Sequence, residues 1–210
     1  MKRILIFIWI VVFFSSCEDA SYDYGLDRYY EEIVTAEGNN VFRLDNGETL
    51  FTTTKIKLSL TGGERLWIHY TLLDEKTEGF DHTVRVNGLS PVSTGALKAL
   101  KQQEMQTLKK EPVLFRSLWI GSYFLNMHFL IDYRSTAHTV GLVVDEETLG
   151  ENPVEIYFTH DKNKDAAGSP VRLFTSFDLR EVLEEPQGNK NIRIHVNTSN
   201  YGEQVYDLIY

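Results

Sequence analysis

Cys17 is the only cysteine in the 210-residue chain, and the residues before it assign it a chemistry. Met1, Lys2 and Arg3 form a positive start, residues 4–14 are unbroken apolar, and Ser15 and Ser16 bring small side chains up to Cys17. An apolar run this short falls below the roughly 17–25 residues that a spanning helix needs, so it reads as an export signal. The order of charge, apolar run, small residues and cysteine is that of a bacterial lipoprotein signal. Residues 1–16 are then removed, and Cys17 becomes the acylated first residue of the mature chain. Each buried CH₂ contributes about 0.8 kcal/mol, so two or three long chains hold the protein on a membrane almost irreversibly. The expected location is the cell envelope, as an outer-membrane lipoprotein, with the periplasmic or surface face left open.

The second candidate is a metal loop. Asp161, Asn163 and Asp165 place oxygen ligands at alternating positions, as calcium loops do. A loop of the EF type also needs glycine at its sixth position and an acid at its twelfth, and this run has Ala166 and Arg172 there. A solvated hairpin loop is therefore the expectation, with Asp161, Asn163 and Asp165 kept as weak metal candidates. The six histidines, His69, His82, His128, His138, His160 and His195, are scattered, with no metal-ligand spacing between them. His69, His128 and His195 fall on the polar phase of their strands, and only a folded chain can show whether they meet.

Nucleophilic catalysis has no local support. The chain contains no Gly-x-Ser-x-Gly elbow and no phosphate-cradling glycine loop, and acylation consumes its only thiol. The acidic pairs Glu31-Glu32, Glu146-Glu147 and Glu184-Glu185 are sequence neighbours. Neighbours in a strand point to opposite faces, which suits surface decoration better than paired carboxylate chemistry. The rings between Trp119 and Tyr133, with Tyr201, Tyr206 and Tyr210, match the apolar phase of strands and read as packing.

Composition sets the frame around these residues. The formal charge of −9 becomes −11 once Lys2 and Arg3 leave with the signal. An acidic chain without a Lys/Arg cluster cannot release counterions from phosphate, so nucleic acid is not an expected partner. With no disulfide available, stability must come from packing.

Short runs rich in Tyr, Phe, Val, Ile and Thr between turn signals predict an all-β chain. Residues 17–28 form an acidic tether and residues 29–92 a five-stranded barrel. Its Asn46-Gly47 hairpin tolerates positive φ, and Ile56/Leu58/Leu60 and Leu66/Ile68/Tyr70/Leu72 supply alternating strand faces. Residues 93–111 form a connector, in which Leu97, Leu100, Met105 and Leu108 at near-helical spacing predict a helix over 97–108. Residues 112–210 form an antiparallel β-sandwich around a central strand in which Leu125, Met127, Phe129 and Ile131 share one face. Ser176 or Asp178 is expected to cap one helical turn before Leu183.

Taken in order, several motifs resemble the NigD-like lipoprotein family of Bacteroidetes-type bacteria. They are Leu44-Asp45-Asn46-Gly47-Glu48-Thr49-Leu50-Phe51, Gly63-Glu64-Arg65-Leu66-Trp67-Ile68-His69-Tyr70, Trp119-Ile120-Gly121 with Tyr123 to Asn126, His138-Thr139, and Ser176-Phe177-Asp178-Leu179. The resemblance spans residues 29–210 and implies an N-terminal OB-like barrel followed by a C-terminal β-sandwich. The family takes its name from a bacteriocin operon, and its suggested immunity role comes from gene context. It has no established catalytic residues, so the resemblance assigns none here.

The sequence thus points to a lipid-anchored, non-catalytic envelope protein without cofactor, acting on an unidentified protein or glycan partner. The alternative is a metal-dependent glycan binder or enzyme with a site at the domain junction.

Overall fold

The computed structural model describes residues 28–184 and 190–210. Cys17, the apolar signal and the tether through residue 27 lie outside the described residues. The first unit is a closed barrel of five strands in the order β1-β2-β3-β5-β4: β1 Tyr29–Ala36, β2 Val41–Leu44, β3 Thr49–Thr52, β4 Arg65–Leu72 and β5 His82–Pro91. Leu66, Ile68 and Tyr70 point inward from β4, as their alternation predicts, and join Val34, Phe42, Leu50 and Val84 in the barrel core. Closure removes the unpaired edges that an open five-stranded sheet would leave. The Asn46-Gly47 turn sits between β2 and β3, with Gly47 at φ 93° and its N–H donating to the Leu44 carbonyl.

The strand expected around Ile56, Leu58 and Leu60 does not form. Once β3 pairs in parallel with β5 the barrel is closed, so residues 55–60 find no ladder to join. Leu60 still reaches the core, Ile56 packs against it, and Leu58 faces solvent.

The helix expected over 97–108 is also corrected. Residues 93–100 form strand β6, Ser93–Leu100, and the connecting helix α1 covers only Gln102–Met105. Leu97 and Ala99 pack with the sandwich core in period two. Tertiary pairing decides the matter, because β6 bridges two layers. Its first half runs parallel to β11 (Ser169–Asp178) and its second half parallel to β9 (Thr139–Asp145). Period-two burial and two waiting ladders outweigh a weak helical stripe.

The remaining strands are β7 Leu114–Gly121, β8 Phe124–Tyr133, β10 Val154–Asp161, β12 Asn191–Thr198 and β13 Gly202–Ile209. They complete an eight-stranded sheet ordered β13-β12-β10-β9-β6-β11-β8-β7. The sheet folds over at β6 into a sandwich, so that Phe129 of β8 meets Phe158 of β10 edge-on across the core at 5.2 Å. The all-β class, the barrel and the sandwich are as expected. The pairing is mixed rather than antiparallel throughout, since β6·β11, β6·β9 and β10·β12 are parallel. β8 is the central strand that its alternation predicts, with Leu125, Met127 and Phe129 fully buried. Helix α2, Arg180–Leu183, follows β11, and the Asp178 carboxylate accepts from the Arg180 N–H at 2.9 Å. Ser176 lies elsewhere, in the contact between the two units.

Candidate functional site at the domain junction

One guanidinium bridges the barrel and the sandwich. Arg65 opens β4 and shares the barrel's outer face with Thr35, its partner across the β1 ladder. Nη1 donates to Asp45 Oδ1 at 2.6 Å and to Thr35 Oγ1 at 3.0 Å, while Nη2 donates to Asp45 Oδ2 at 3.0 Å. The same Nη2 reaches across the junction to Asn126 Oδ1 at 2.9 Å, and Nε points to Ser176 Oγ at 3.4 Å. Asn126 Nδ2 returns a bond to Asp45 Oδ2 at 2.9 Å, and the Ser176 hydroxyl donates to Asn126 Oδ1 at 2.6 Å. The Phe124 ring covers the guanidinium with its centroid 4.4 Å away. Asn126 and Ser176 are fully buried, so each polar group depends on the others for its hydrogen bonds. Gly121 is required by the same contact, because a Cβ there would sit 2.0 Å from Asp45 Oδ2.

Beside this clasp the two units border a cleft of about 350 Å³, lined by Glu31, Glu32, Ile33, Leu44, Asp45 and Asn46 of the barrel and Trp119 of β7. Trp119 lies opposite Asn126 in the β7–β8 ladder and so shares the face that docks on the barrel. Burial raises the Glu32 carboxyl above the usual carboxylate range. A hydrogen bond from the Tyr70 hydroxyl opposes the shift, and the nearby Asp45 and Glu48 charges add to it. Further along the junction, Trp67 of β4 stacks on Phe174 of β11, and Phe174 stacks on His128. Burial lowers the His128 imidazole, and the Arg172 and Arg116 charges act in the same direction. The cleft therefore joins one aromatic face, Trp119, to the carboxyls of Glu31, Glu32 and Asp45 and the amide of Asn46. That set can hold a polar partner but contains no nucleophile with an adjacent base.

The three polar-phase histidines do not meet. His69 lies near Trp67 on the barrel, His128 stacks at the junction, and His195 of β12 bridges Glu155 and Glu203. The pair that does come together is His138 and His160, with His138 Nδ1 2.9 Å from His160 Nε2. A sequence signal for half of it existed. His160, the last residue but one of β10, lies on the same phase as the buried Val154, Ile156 and Phe158. Burial lowers the His160 imidazole, which a hydrogen bond with the Glu111 carbonyl opposes.

The candidate ligands of the 161–165 loop are turned to different tasks. Asp161 Oδ1 accepts from the Asn163 N–H at 2.8 Å, and Asn163 Nδ2 donates to the Ala137 carbonyl at 2.7 Å and to Thr139 Oγ1 at 3.0 Å. Asp165 is turned toward residues 134–136 and accepts the N–H groups of Arg134 at 2.8 Å and Thr136 at 3.1 Å, with Ser135 between them. Those amides, the Arg134 N–H first, hold its carboxyl at about 2. A carboxyl lowered on folding contributes stability above its unfolded value and loses that contribution as the pH falls through its folded value. Asp165→Asn is therefore expected to be less stable than the parent at neutral pH, with the difference closing between about 3.8 and about 2. Urea unfolding at stepped pH measures it, and a difference that persists unchanged below this window contradicts it.

The NigD-like N-terminal OB domain matches residues 32–92, and the NigD-like C-terminal β-sandwich domain matches residues 96–210. No curated protein matches the chain. Among solved structures, a protein of unknown function from Bacteroides vulgatus superposes with a TM-score of 0.72 at 23% identity, covering 87% of this chain and 90% of the other. A NigD-like immunity protein from Bacteroides caccae gives 0.61 at 22% identity, covering 86% and 96%. A candidate lipoprotein from Bacteroides fragilis gives 0.69 at 14% identity, covering 87% and 97%. At these identities the likeness shows the fold alone.

Proposed function

Because the chain belongs to the NigD-like family, whose two domain types together match residues 32–92 and 96–210, we propose that it is a lipid-anchored, non-catalytic protein of the cell envelope that acts by binding a protein or glycan at the domain junction. The observation that carries this reading is the cleft whose walls come from both units, with Trp119 on one side and Glu31, Glu32 and Asn46 on the other. The buried Arg65 clasp holds those walls at a fixed distance, which lowers the ordering cost of binding. An aromatic face supplies contact area with little loss of side-chain entropy, and the carboxyl and amide groups supply direction. Anchoring rests on the residues before Cys17, and the naming of the Bacteroides fragilis relative as a lipoprotein supports it. The outer membrane is the proposed location, and immunity against a bacteriocin is one form the binding can take, in line with the name of the Bacteroides caccae relative.

The test is capture of envelope proteins and polysaccharides on immobilised residues 18–210. Capture is expected from the parent and is expected to fall about tenfold or more in Trp119→Ala, the size of loss that follows from removing a binding-site anchor, with an unchanged melting curve. Capture undiminished in both Trp119→Ala and Glu31→Gln would remove the junction from the reading. Sustained turnover in a broad hydrolase screen, abolished by one side-chain change, would replace binding with catalysis. Melting curves with and without Ca²⁺ or Zn²⁺ address the metal-dependent alternative, since ligand at 100 times its dissociation constant adds about 2.7 kcal/mol.

A further inference from the structure

We propose that β13 is a docking edge for an extended, basic segment of another protein, which adds to the eight-stranded sheet as a further strand. β13 lies at one end of the sheet, and among the described residues β12 is its only ladder partner. Its outward backbone groups follow from the register. The Lys190 N–H donates to the Tyr210 carbonyl at 3.0 Å and the Tyr210 N–H to the Lys190 carbonyl at 2.8 Å, so this pair exchanges both bonds. Such pairs recur at every second residue of an antiparallel ladder. Gln204, Tyr206 and Leu208 therefore bond to β12, and the N–H and C=O groups of Glu203, Val205, Asp207 and Ile209 point away from it.

The two ends of the sheet are built differently. β7, at the other end, carries a register shift between Phe115 and Ser117 that leaves the exposed Arg116 without a ladder partner. A bulge and a cation are two of the devices that keep an edge from adding a strand. β13 has neither. It runs in unbroken register from Gly202 to Ile209, with no proline, lysine or arginine. β7 meets it from the core side, where the Phe115 and Tyr206 rings lie 4.7 Å apart. On the outer face Val205 is 49% and Ile209 64% exposed.

The side chains beside the free backbone groups select the partner. The outer face of β13 reads Glu203, Val205, Asp207, Ile209, acid and apolar in turn. Glu203 and Asp207 pair with His195 and Arg193 of β12 yet remain 62% and 69% exposed, which leaves carboxylate lone pairs for a second cation. Residues directly opposite in an antiparallel pair share a face. The complementary strand therefore carries Lys or Arg opposite Glu203 and Asp207, and apolar side chains opposite Val205 and Ile209.

A second copy of β13 does not meet this pattern. A two-fold axis at Val205 sets Glu203 against Asp207, and an axis at Asp207 sets that carboxylate against itself. An axis at Tyr206 sets both acids against apolar side chains. Backbone bonds give a strand addition its affinity, and alternate side chains give it its choice of partner. This edge shares no residue with the junction cleft.

The probe is the peptide Ile-Thr-Lys-Thr-Val-Thr-Lys, acetylated and amidated, added to ¹⁵N-labelled residues 18–210. Amide hydrogen exchange at Glu203, Val205, Asp207 and Ile209 is expected to slow at least about tenfold at saturation, while Gln204, Tyr206 and Leu208 exchange slowly with or without peptide. The peptide with Glu in place of Lys is expected to bind at least about tenfold more weakly, and Glu203→Lys combined with Asp207→Lys to reverse that preference. Val205→Pro removes an outward N–H and no bond to β12, and is expected to weaken binding of the Lys peptide at least about tenfold with the fold retained. Should that variant fail to fold, the double charge reversal decides. Outward amides that gain no protection, or equal binding of the two peptides, overturn the proposal. So does a concentration-dependent dimer that protects the same amides, since it assigns the edge to a second copy.

Discussion

Arg65→Ala is expected to destabilise the protein by about 3–5 kcal/mol, the range for breaking a buried ion pair by removing one partner. The loss does not come from the Coulomb attraction alone. Desolvation offsets much of that attraction when two charges leave water together. It comes from what remains: Asp45 without its bidentate partner, and Asn126 and Ser176 fully buried with part of their hydrogen bonding gone. Arg65→Lys is expected to recover little. An ammonium reaches one or two acceptors as a point charge, whereas the planar guanidinium serves Asp45, Thr35 and Asn126 together. Because these groups act as a unit, Arg65→Ala combined with Asp45→Asn is expected to cost less than the sum of the two single changes. Urea unfolding of the parent and the four variants measures all of this. A loss below about 1 kcal/mol for Arg65→Ala, the value of an exposed pair, would show that water reaches the junction in solution.

Cys17→Ala is expected to abolish incorporation of labelled fatty acid and to leave residues 1–16 attached, which a shift in mass reports directly. The physical basis is the size of the anchoring term. At about 0.8 kcal/mol per buried CH₂, two long chains exceed anything that an acidic protein surface can gain from a membrane of the same sign of charge. A wild-type level of label in the variant would place the lipid on another residue, and the assignment of Cys17 as the acylated residue would fall with it. Cys17→Ser separates the sulfur from the size of the side chain, and is expected to behave as Cys17→Ala does.

Local periodicity was enough to read much of the fold from the chain. β4 and β8 alternate so regularly that their inward faces, Leu66, Ile68 and Tyr70 in one and Leu125, Met127 and Phe129 in the other, follow from strand geometry alone. The Asn46-Gly47 turn is equally local, whereas the cap expected from Ser176 or Asp178 is not the one formed: Leu179 is the N-cap of α2, and Asp178 only accepts from the Arg180 N–H one residue inside it. The segments at 55–60 and 97–108 misled for a shared reason. A short apolar pattern, strictly alternating at 55–60 and mixed at 97–108, forms a strand only where a ladder is open beside it. The closed barrel offered none to 55–60, and β9 and β11 offered two to β6.

The residue chemistry divides along the same line. The proposed lipidation at Cys17 and the shortage of catalytic motifs are read from neighbours in the chain, so order and composition alone carry them, as they carry the acidic, strand-built character. The junction and the histidine pair are not. Arg65 meets Asn126 at a separation of 61 residues and Ser176 at 111, and His138 meets His160 across 22. No local pattern marks such partners, because a side chain's charge and spacing say nothing about which distant strand will lie opposite it. That is set by register and by the fold of the sheet at β6. Only there did a charged residue at the start of one strand become a buried clasp between two units, and two histidines far apart in the chain come into direct contact.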